Sequence, residues 1–161
     1  MTDSNKLNLG CGTKILSGFV NVDLRSDVGA DMVFDLRNFP WPWRDNSVNE
    51  ICMNHILEHL PETETTIKEI RRILKPDGVL RGRVPFAMSE AAFTEPTHVR
   101  YFHWRSFTDM EQWGFKTSVR LICENVSLKK HLRCLIPFRS FLSNWLWNMF
   151  DAVEFQLVKI K

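Results

Sequence analysis

Leu7-Asn-Leu-Gly-Cys-Gly-Thr-Lys-Ile-Leu-Ser-Gly-Phe-Val-Asn-Val-Asp23 is the stretch on which the fold turns. A short apolar segment (Leu7, Leu9) runs into Gly10-Cys11-Gly12, and a second (Phe19, Val20, Val22) ends on an acid, Asp23. Two strands joined through glycines, with a carboxylate at the second tip, are how a doubly wound α/β domain holds a nucleoside-like ligand. The glycines allow a sharp turn and close backbone approach, and the carboxylate accepts bonds from ribose hydroxyls. A pyrophosphate seat needs a third glycine three residues on, and that position is Ile15. The pattern therefore suits a ligand with a ribose and no pyrophosphate.

Working outward, strand and helix signals alternate without a linker or repeat. Leu7–Leu9, Phe19–Leu24 and Met32–Asp35 read as the first three strands, and Val48–Asn54 as the fourth. Pro40 and Pro42 forbid a helix between the third and fourth. Ile67, Ile70, Ile73 and Leu74 share one face of a helix that Pro76-Asp77-Gly78 should stop. Val79–Val84 reads as strand five. Ser106 to Gly114 reads as a second helix with Ser106 as N-cap and Asp109 three residues on. Val119–Val126 and Val153–Ile160 alternate as two closing antiparallel strands.

Leu9-Gly10-Cys11-Gly12, Asn21-Val22-Asp23-Leu24, Asp35-Leu36 and Ile70 through Gly78, in that order, resemble class I S-adenosylmethionine-dependent methyltransferases. The likeness is to a small bacterial branch often found with cell-envelope glycan genes. It is good from about residue 6 to 86 and looser beyond. The resemblance implies a Rossmann-like, doubly wound α/β fold with a mostly parallel seven-stranded sheet, spanning residues 1–161 as one domain. It implies S-adenosyl-L-methionine as cofactor, with Gly10 and Gly12 toward its methionine part and Asp23 toward its ribose. Asp35 and Leu36 would lie beside the adenine, and Asn54 and His55 would end the strand facing the methyl group. Asn8, Cys11 and Leu24 complete the implied cofactor set.

Spacing departs from the family in the first crossovers. Gly12 and Asp23 are eleven positions apart, and Asp23 and Asp35 twelve. A whole βαβ connection takes at least about 10–12 residues, so the crossover helices here must be short or irregular. One sheet face should then be thinly covered. Lys6 and Asn8, Asn21 and Asp23, Arg81 and Arg83 alternate as on a solvated face, or as at a homodimer contact.

The 161 residues, 44% hydrophobic and 25% charged, describe a globular domain able to bury a core. A net charge of +2 lacks the basic excess of nucleic-acid binders. Cys11, Cys52, Cys123 and Cys134 form no C-x-x-C pair and read as reduced thiols of a cytoplasmic protein. The first six residues carry no apolar leader segment, and no run reaches the roughly 18 apolar residues of a membrane span.

His55-Ile-Leu-Glu-His59 matches the H-x-x-E-H pattern of inverted zinc proteases. Two histidines at i, i+4 would share a helix face, as a zinc hydrolase requires. Pro61 follows directly and residues 50–54 read as strand, so the helix is too short and no metal is expected there. The second chemical cluster, Glu95-Pro-Thr-His98-Val-Arg-Tyr-Phe-His103, follows strand five and can hang over the cofactor end of the sheet. The family tends to carry a similar Pro-Thr-His stretch. Methyl transfer to a hydroxyl needs an aligned acceptor and a group to take its proton, which a neutral imidazole can do. His98, His55 and His59 are the candidates, in that order. The structural alternative is that they only bond backbone to fix the loop, and His103, beside Trp104, reads that way first.

The strand-four end lacks the Asn/Asp-Pro-Pro-aromatic turn of base-methylating amino-transferases, and no Pro-Cys nucleophile is present. A small-molecule or glycan-like acceptor, most simply a hydroxyl, is expected, with no nucleic acid. The competing expectation is a cofactor-binding protein that has lost activity and serves a partner. Phe138, Phe141, Leu142, Trp145, Leu146, Met149 and Phe150 form an apolar helical stripe after several basic residues. It reads as a helix packed on the sheet, or as a peripheral membrane contact over residues 138–150.

Overall fold

A computed structural model describes residues 5–122 and 150–160. Seven strands form one sheet in the order β3-β2-β1-β4-β5-β7-β6. They are β1 (Lys6–Leu9), β2 (Val20–Asp23), β3 (Met32–Val33), β4 (Val48–Asn54), β5 (Leu74–Pro85), β6 (Phe115–Ile122) and β7 (Ala152–Lys159). β1 to β5 run parallel, and β7 lies antiparallel between β5 and β6. The chain builds outward from β1 to β3, then returns to lay β4 on the other side of β1. That reversal opens a crevice beyond the carboxyl ends of β1 and β4, where open α/β sheets bind ligands.

The crossovers are more reduced than the spacing suggested. Residues 10–19 form turns and no helix, and a single 3₁₀ turn (Ser26–Val28) stands between β2 and β3. Side-chain amides do the work of the missing helix. Asn21 Oδ1 accepts from Asn8 Nδ2 at 2.9 Å and from the Leu16 N–H at 2.8 Å. Its Nδ2 donates to the carbonyls of Leu16 and Phe19 and to Asp31. Asn8 Nδ2 also reaches the Lys14 carbonyl. These bonds satisfy the polar groups of a loop too short to pair with itself.

This network corrects one expectation. Asn8 and Asn21 are 5% and 2% exposed, so the polar alternation in β1 and β2 marks a buried hydrogen-bonded layer and no solvated face. Lys6 and Arg81 are exposed, as expected.

α1 (Thr63–Ile73) buries Ile67, Ile70 and Ile73 on the sheet and ends before Pro76 as expected. Leu74 already belongs to β5. From the polar side of α1, Glu69 accepts from the Trp41 N–H at 2.8 Å. Arg72 donates to Asp45 and to the carbonyls of Trp41 and Trp43. The 39–47 loop is thus clamped to the helix, and Trp41, buried beneath it, donates from Nε1 to the Leu36 carbonyl at 3.0 Å.

Past β5, α2 (Ala91–Thr94) and α3 (Arg105–Thr108) are single turns, and a 3₁₀ turn (Asp109–Trp113) ends at Gly114. Ser106 is inside α3, not before it, and its hydroxyl accepts from the His103 N–H. Phe107 drives that start: it is fully buried, stacked on Phe155 at 4.1 Å between centroids. β6 begins at Phe115, four residues ahead of the expected Val119. The end of that strand and the 138–149 stripe lie outside the described residues. Phe150, the last residue of the stripe, is fully buried against Phe86. Among the described residues no helix is long and apolar enough to cross a membrane.

Candidate active site

Three strand ends meet at the crevice. After β1 the chain turns at Gly10 with φ of +66°, and a Cβ there would fall 1.8 Å from Ile56 Cδ1, so only glycine fits. Gly12 has φ of +50° with open space around it. Its N–H donates to Asp23 Oδ2 at 2.7 Å, which ties the glycine turn to the tip of β2. Asp23 Oδ1 accepts from the Arg25 N–H at 2.9 Å. A carboxylate has about four acceptor positions, so Asp23 keeps capacity for ribose hydroxyls.

Gly10, Asp23, Leu24, Phe34, Asp35, Leu36, Ile56 and Leu60 share a cleft of about 500 Å³, mostly apolar. The clamp from α1 through Trp41 holds Leu36 on that wall. Asp35 is paired bidentately with Arg37, which holds its carboxyl below the usual range. The cleft has the size and the ribose-plus-flat-ring chemistry of an S-adenosyl ligand. Glycines admit close backbone approach, Asp23 retains free acceptor positions, and Leu24, Phe34 and Leu36 give an apolar slot.

Three members of the implied cofactor set are placed elsewhere. The Asn8 amide is spent within the loop network. Cys11 is buried, its N–H bonded to the Val22 carbonyl, and burial with nearby Asp23 pushes its thiol up. Asn54 faces a different cavity, on the sheet with Arg81, Ser118, Arg120 and Glu154, and its amide donates to Cys52 Sγ. Asn8 and Cys11 shape the crevice without lining it.

An adjoining cavity holds Gly10, Gly12 and Asp23 together with His55, His59, Glu95, Thr97 and His98. The structure brings all three candidate histidines to it. It does not do so as the H-x-x-E-H pattern would. His55 has φ of +57° and Leu57–His59 is one 3₁₀ turn, so the two histidines share no α-helical face. His59 pairs instead with His98, ring centroids 4.9 Å apart. The segment carrying His98 is strapped down. The Glu58 carbonyl accepts the N–H groups of Val99 and Arg100, and the Arg100 guanidinium bonds the Pro61 carbonyl.

Carbonyl partners fix the tautomers. His98 Nδ1 lies 3.0 Å from the Ala92 carbonyl, and His59 Nδ1 3.2 Å from that of Thr97. Carbonyls only accept, so both Nδ1 atoms carry hydrogen and each neutral ring keeps its lone pair at Nε2. Thr97 Oγ1 donates to Glu95 and accepts from His59, continuing the chain. His103 instead packs on Phe86 and Trp104 and accepts the Arg105 N–H, a bracing position. Sequence reasoning missed Glu58, which is 1% exposed beneath the cluster, and also Thr97 and Glu95. Glu58 was visible only as the acid of the zinc pattern.

Comparison with known proteins agrees with this geometry. A family profile described as a methyltransferase domain matches residues 7–81, just under half the chain. No curated protein matches the sequence. A SAM-dependent methyltransferase from Archaeoglobus fulgidus superposes with a TM-score of 0.70 at 17% identity, over 96% of this chain and 85% of its own. Phosphoethanolamine N-methyltransferase 2 of Haemonchus contortus, solved with S-adenosyl-L-methionine, gives 0.64 at 15%, over 97% of this chain and 48% of its own. The [4+2]-cyclase SpnF gives 0.63 at 14%, over 96% and 75%. At such identities the likeness is one of fold.

Fold, crevice and profile are similar to those of class I S-adenosylmethionine-dependent methyltransferases.

Proposed function

We propose that the chain transfers a methyl group to a hydroxyl of a small-molecule or glycan-like acceptor, working as one domain in the cytoplasm. One observation carries the reading: His98 and His59 stand together at the mouth of the cofactor crevice, each with its lone pair directed to Nε2 by a carbonyl at Nδ1.

When bound, S-adenosylmethionine supplies a methyl carbon already activated on a sulfonium, so the residues need only position the acceptor and receive its proton. Gly10, Gly12 and Asp23 hold the cofactor end of the crevice. Leu24, Phe34 and Leu36 exclude water from its flat-ring side. The strap from Glu95 to Arg100 borders the other end, and the bare Nε2 of His98, in the neutral imidazole, can accept the hydroxyl proton. His59, anchored through Thr97 to Glu95, supports the neighbouring ring.

The test is His98→Ala. Methyl transfer should fall by about 10²–10⁴-fold, the usual scale for a general base, with S-adenosylhomocysteine affinity unchanged. The loss should shrink at high pH as the hydroxyl ionises unaided. A variant that stays active with an unaltered pH profile would remove His98 as base. A wild-type protein that binds S-adenosylhomocysteine yet transfers nothing to any hydroxyl would return the reading to a cofactor-binding protein without turnover.

A further inference from the structure

Beneath the two histidines lies a feature that proton transfer does not require. Glu58 is 1% exposed, and among the described residues neither of its carboxylate oxygens takes part in a hydrogen bond. His55 Nδ1 is 3.3 Å from one of them, an ion pair only when that imidazole is protonated, and the other oxygen has no such neighbour among the described residues. A buried carboxylate without donors is costly, and such groups are normally paired or bound to a metal. One ligand atom each from Glu58, His59 and His98 lie within 4.8 Å of one another.

We propose that Glu58, His59 and His98 bind one divalent transition-metal ion of the zinc class, at the acceptor side of the crevice. This concerns the same site as the methyl-transfer reading and rests on it for the role of the ion, though not for its binding.

Three further features support an ion. The histidine partners are those of metal-binding imidazoles, which donate the second ring N–H to a carbonyl or similar acceptor and so turn the bare nitrogen to the metal. Both histidines do this at Nδ1. The ligands come from two segments already locked together, because the Glu58 carbonyl accepts the N–H groups of Val99 and Arg100 just after His98. Distances are also close. Zinc bonds of about 2.0–2.1 Å place tetrahedral ligands about 3.3–3.4 Å apart. From a triangle of at most 4.8 Å each ligand atom needs to move inward by no more than about 0.8 Å.

The donor set selects the ion. Two imidazole nitrogens and one carboxylate suit zinc and its first-row neighbours, whereas magnesium and calcium prefer all-oxygen sites. Three protein ligands also leave a position open, as catalytic zinc sites do. With the ion bound, the His98 lone pair would be committed to it, so His98 would act as base only in the metal-free protein, and the ion would lower the acceptor's pKa in its place. An acceptor hydroxyl entering the open position loses its proton to solvent more readily, and its oxygen attacks the methyl carbon. The carbon–sulfur bond then breaks and its electron pair stays on sulfur, leaving the neutral thioether. This site is not the His55/His59 pair that the sequence pattern offered.

Chelator-treated protein is titrated calorimetrically with zinc chloride, and separately with magnesium chloride, with and without S-adenosylhomocysteine. One equivalent of zinc should bind at micromolar dissociation constant or tighter, and magnesium should not. Glu58→Gln keeps the buried shape, and with His98→Ala it should weaken zinc by more than about 100-fold, beyond what a merely supporting residue causes. His103→Ala should bind zinc as wild type does. S-adenosylhomocysteine affinity should be the same in every variant, which also certifies their folding. The proposal is overturned if wild type takes up no zinc, or if Glu58→Gln and His98→Ala, both folded, bind it as tightly as wild type. Zinc failing while S-adenosylhomocysteine binds would remove the ion and leave the methyltransferase reading. Zinc binding while S-adenosylhomocysteine fails would keep the ion site and remove that reading.

Discussion

Replacing Gly10 with alanine sets a methyl group 1.8 Å from Ile56 Cδ1 and 2.1 Å from Cγ1, on a residue held at φ of +66°. The left-handed conformation costs a non-glycine residue about 1–2 kcal/mol. Loss of freedom in the unfolded chain returns about 0.4–1 kcal/mol. The collision adds about 1–3 kcal/mol, the usual range for an extra methyl forced into packed surroundings. Gly12 provides the internal control, since its φ is +50° but nothing lies within 4 Å of its Cβ position. Gly12→Ala should therefore cost at most about 1.5 kcal/mol, and Gly10→Ala about 2–4 kcal/mol. Urea unfolding followed by circular dichroism measures both. Because Ile56 is the obstacle, Ile56→Ala should relieve much of the Gly10→Ala loss, giving a coupling energy of about 1–2 kcal/mol in a double-mutant cycle. Equal losses at the two glycines, or no coupling to Ile56, would refute the steric account of the turn.

Asp23→Ala should weaken S-adenosylhomocysteine by about 1.5–3 kcal/mol, the range for hydrogen bonds to a charged group, and calorimetric affinity equal to wild type would exclude Asp23 from the ribose site. Asn21→Ala removes five side-chain hydrogen bonds and orphans Asn8 in a buried layer, so stability should drop by about 2–4 kcal/mol. A loss below about 0.5 kcal/mol in urea titration would show that the loop is held otherwise. Hydrogen bonds from Asn21, from Arg37 and from Arg72 hold the Asp31, Asp35 and Glu69 carboxyls below the usual range. Acids lowered in the folded state stabilise it above their unfolded pKa of about 4, and this is lost as pH falls through the folded values. The urea midpoint should be flat from neutrality to about pH 5 and then fall; an unchanged midpoint at pH 3 would contradict these pairings.

Local chemistry was legible wherever it depends on neighbours in the chain. The Gly10–Gly12 turn, the acid at the β2 tip, the α1 face and its stop before Pro76 all rest on short-range sterics and periodicity. Register errors followed the same logic in reverse. Ser106 looked like an N-cap, but burial of Phe107 against Phe155 begins α3 one residue earlier. The alternation of Asn8 and Asn21 is the same whether a strand faces water or an amide network, because period two reports sidedness and not what covers the side.

The cofactor crevice was in this sense written in residues 7 to 36, since backbone permissiveness and one carboxylate are properties of single positions. The acceptor end was not. His59 and His98 lie 39 positions apart in the sequence, and only the return of the strap over the β4 end brings their rings edge to face. Glu58 became significant only once burial removed its solvent and left its oxygens without hydrogen bonds. Desolvation and long-range proximity are properties of the folded surroundings and have no signature in the residue itself. For that reason the sequence could mark the crevice, while the partners of the histidines were decided by the tertiary structure alone.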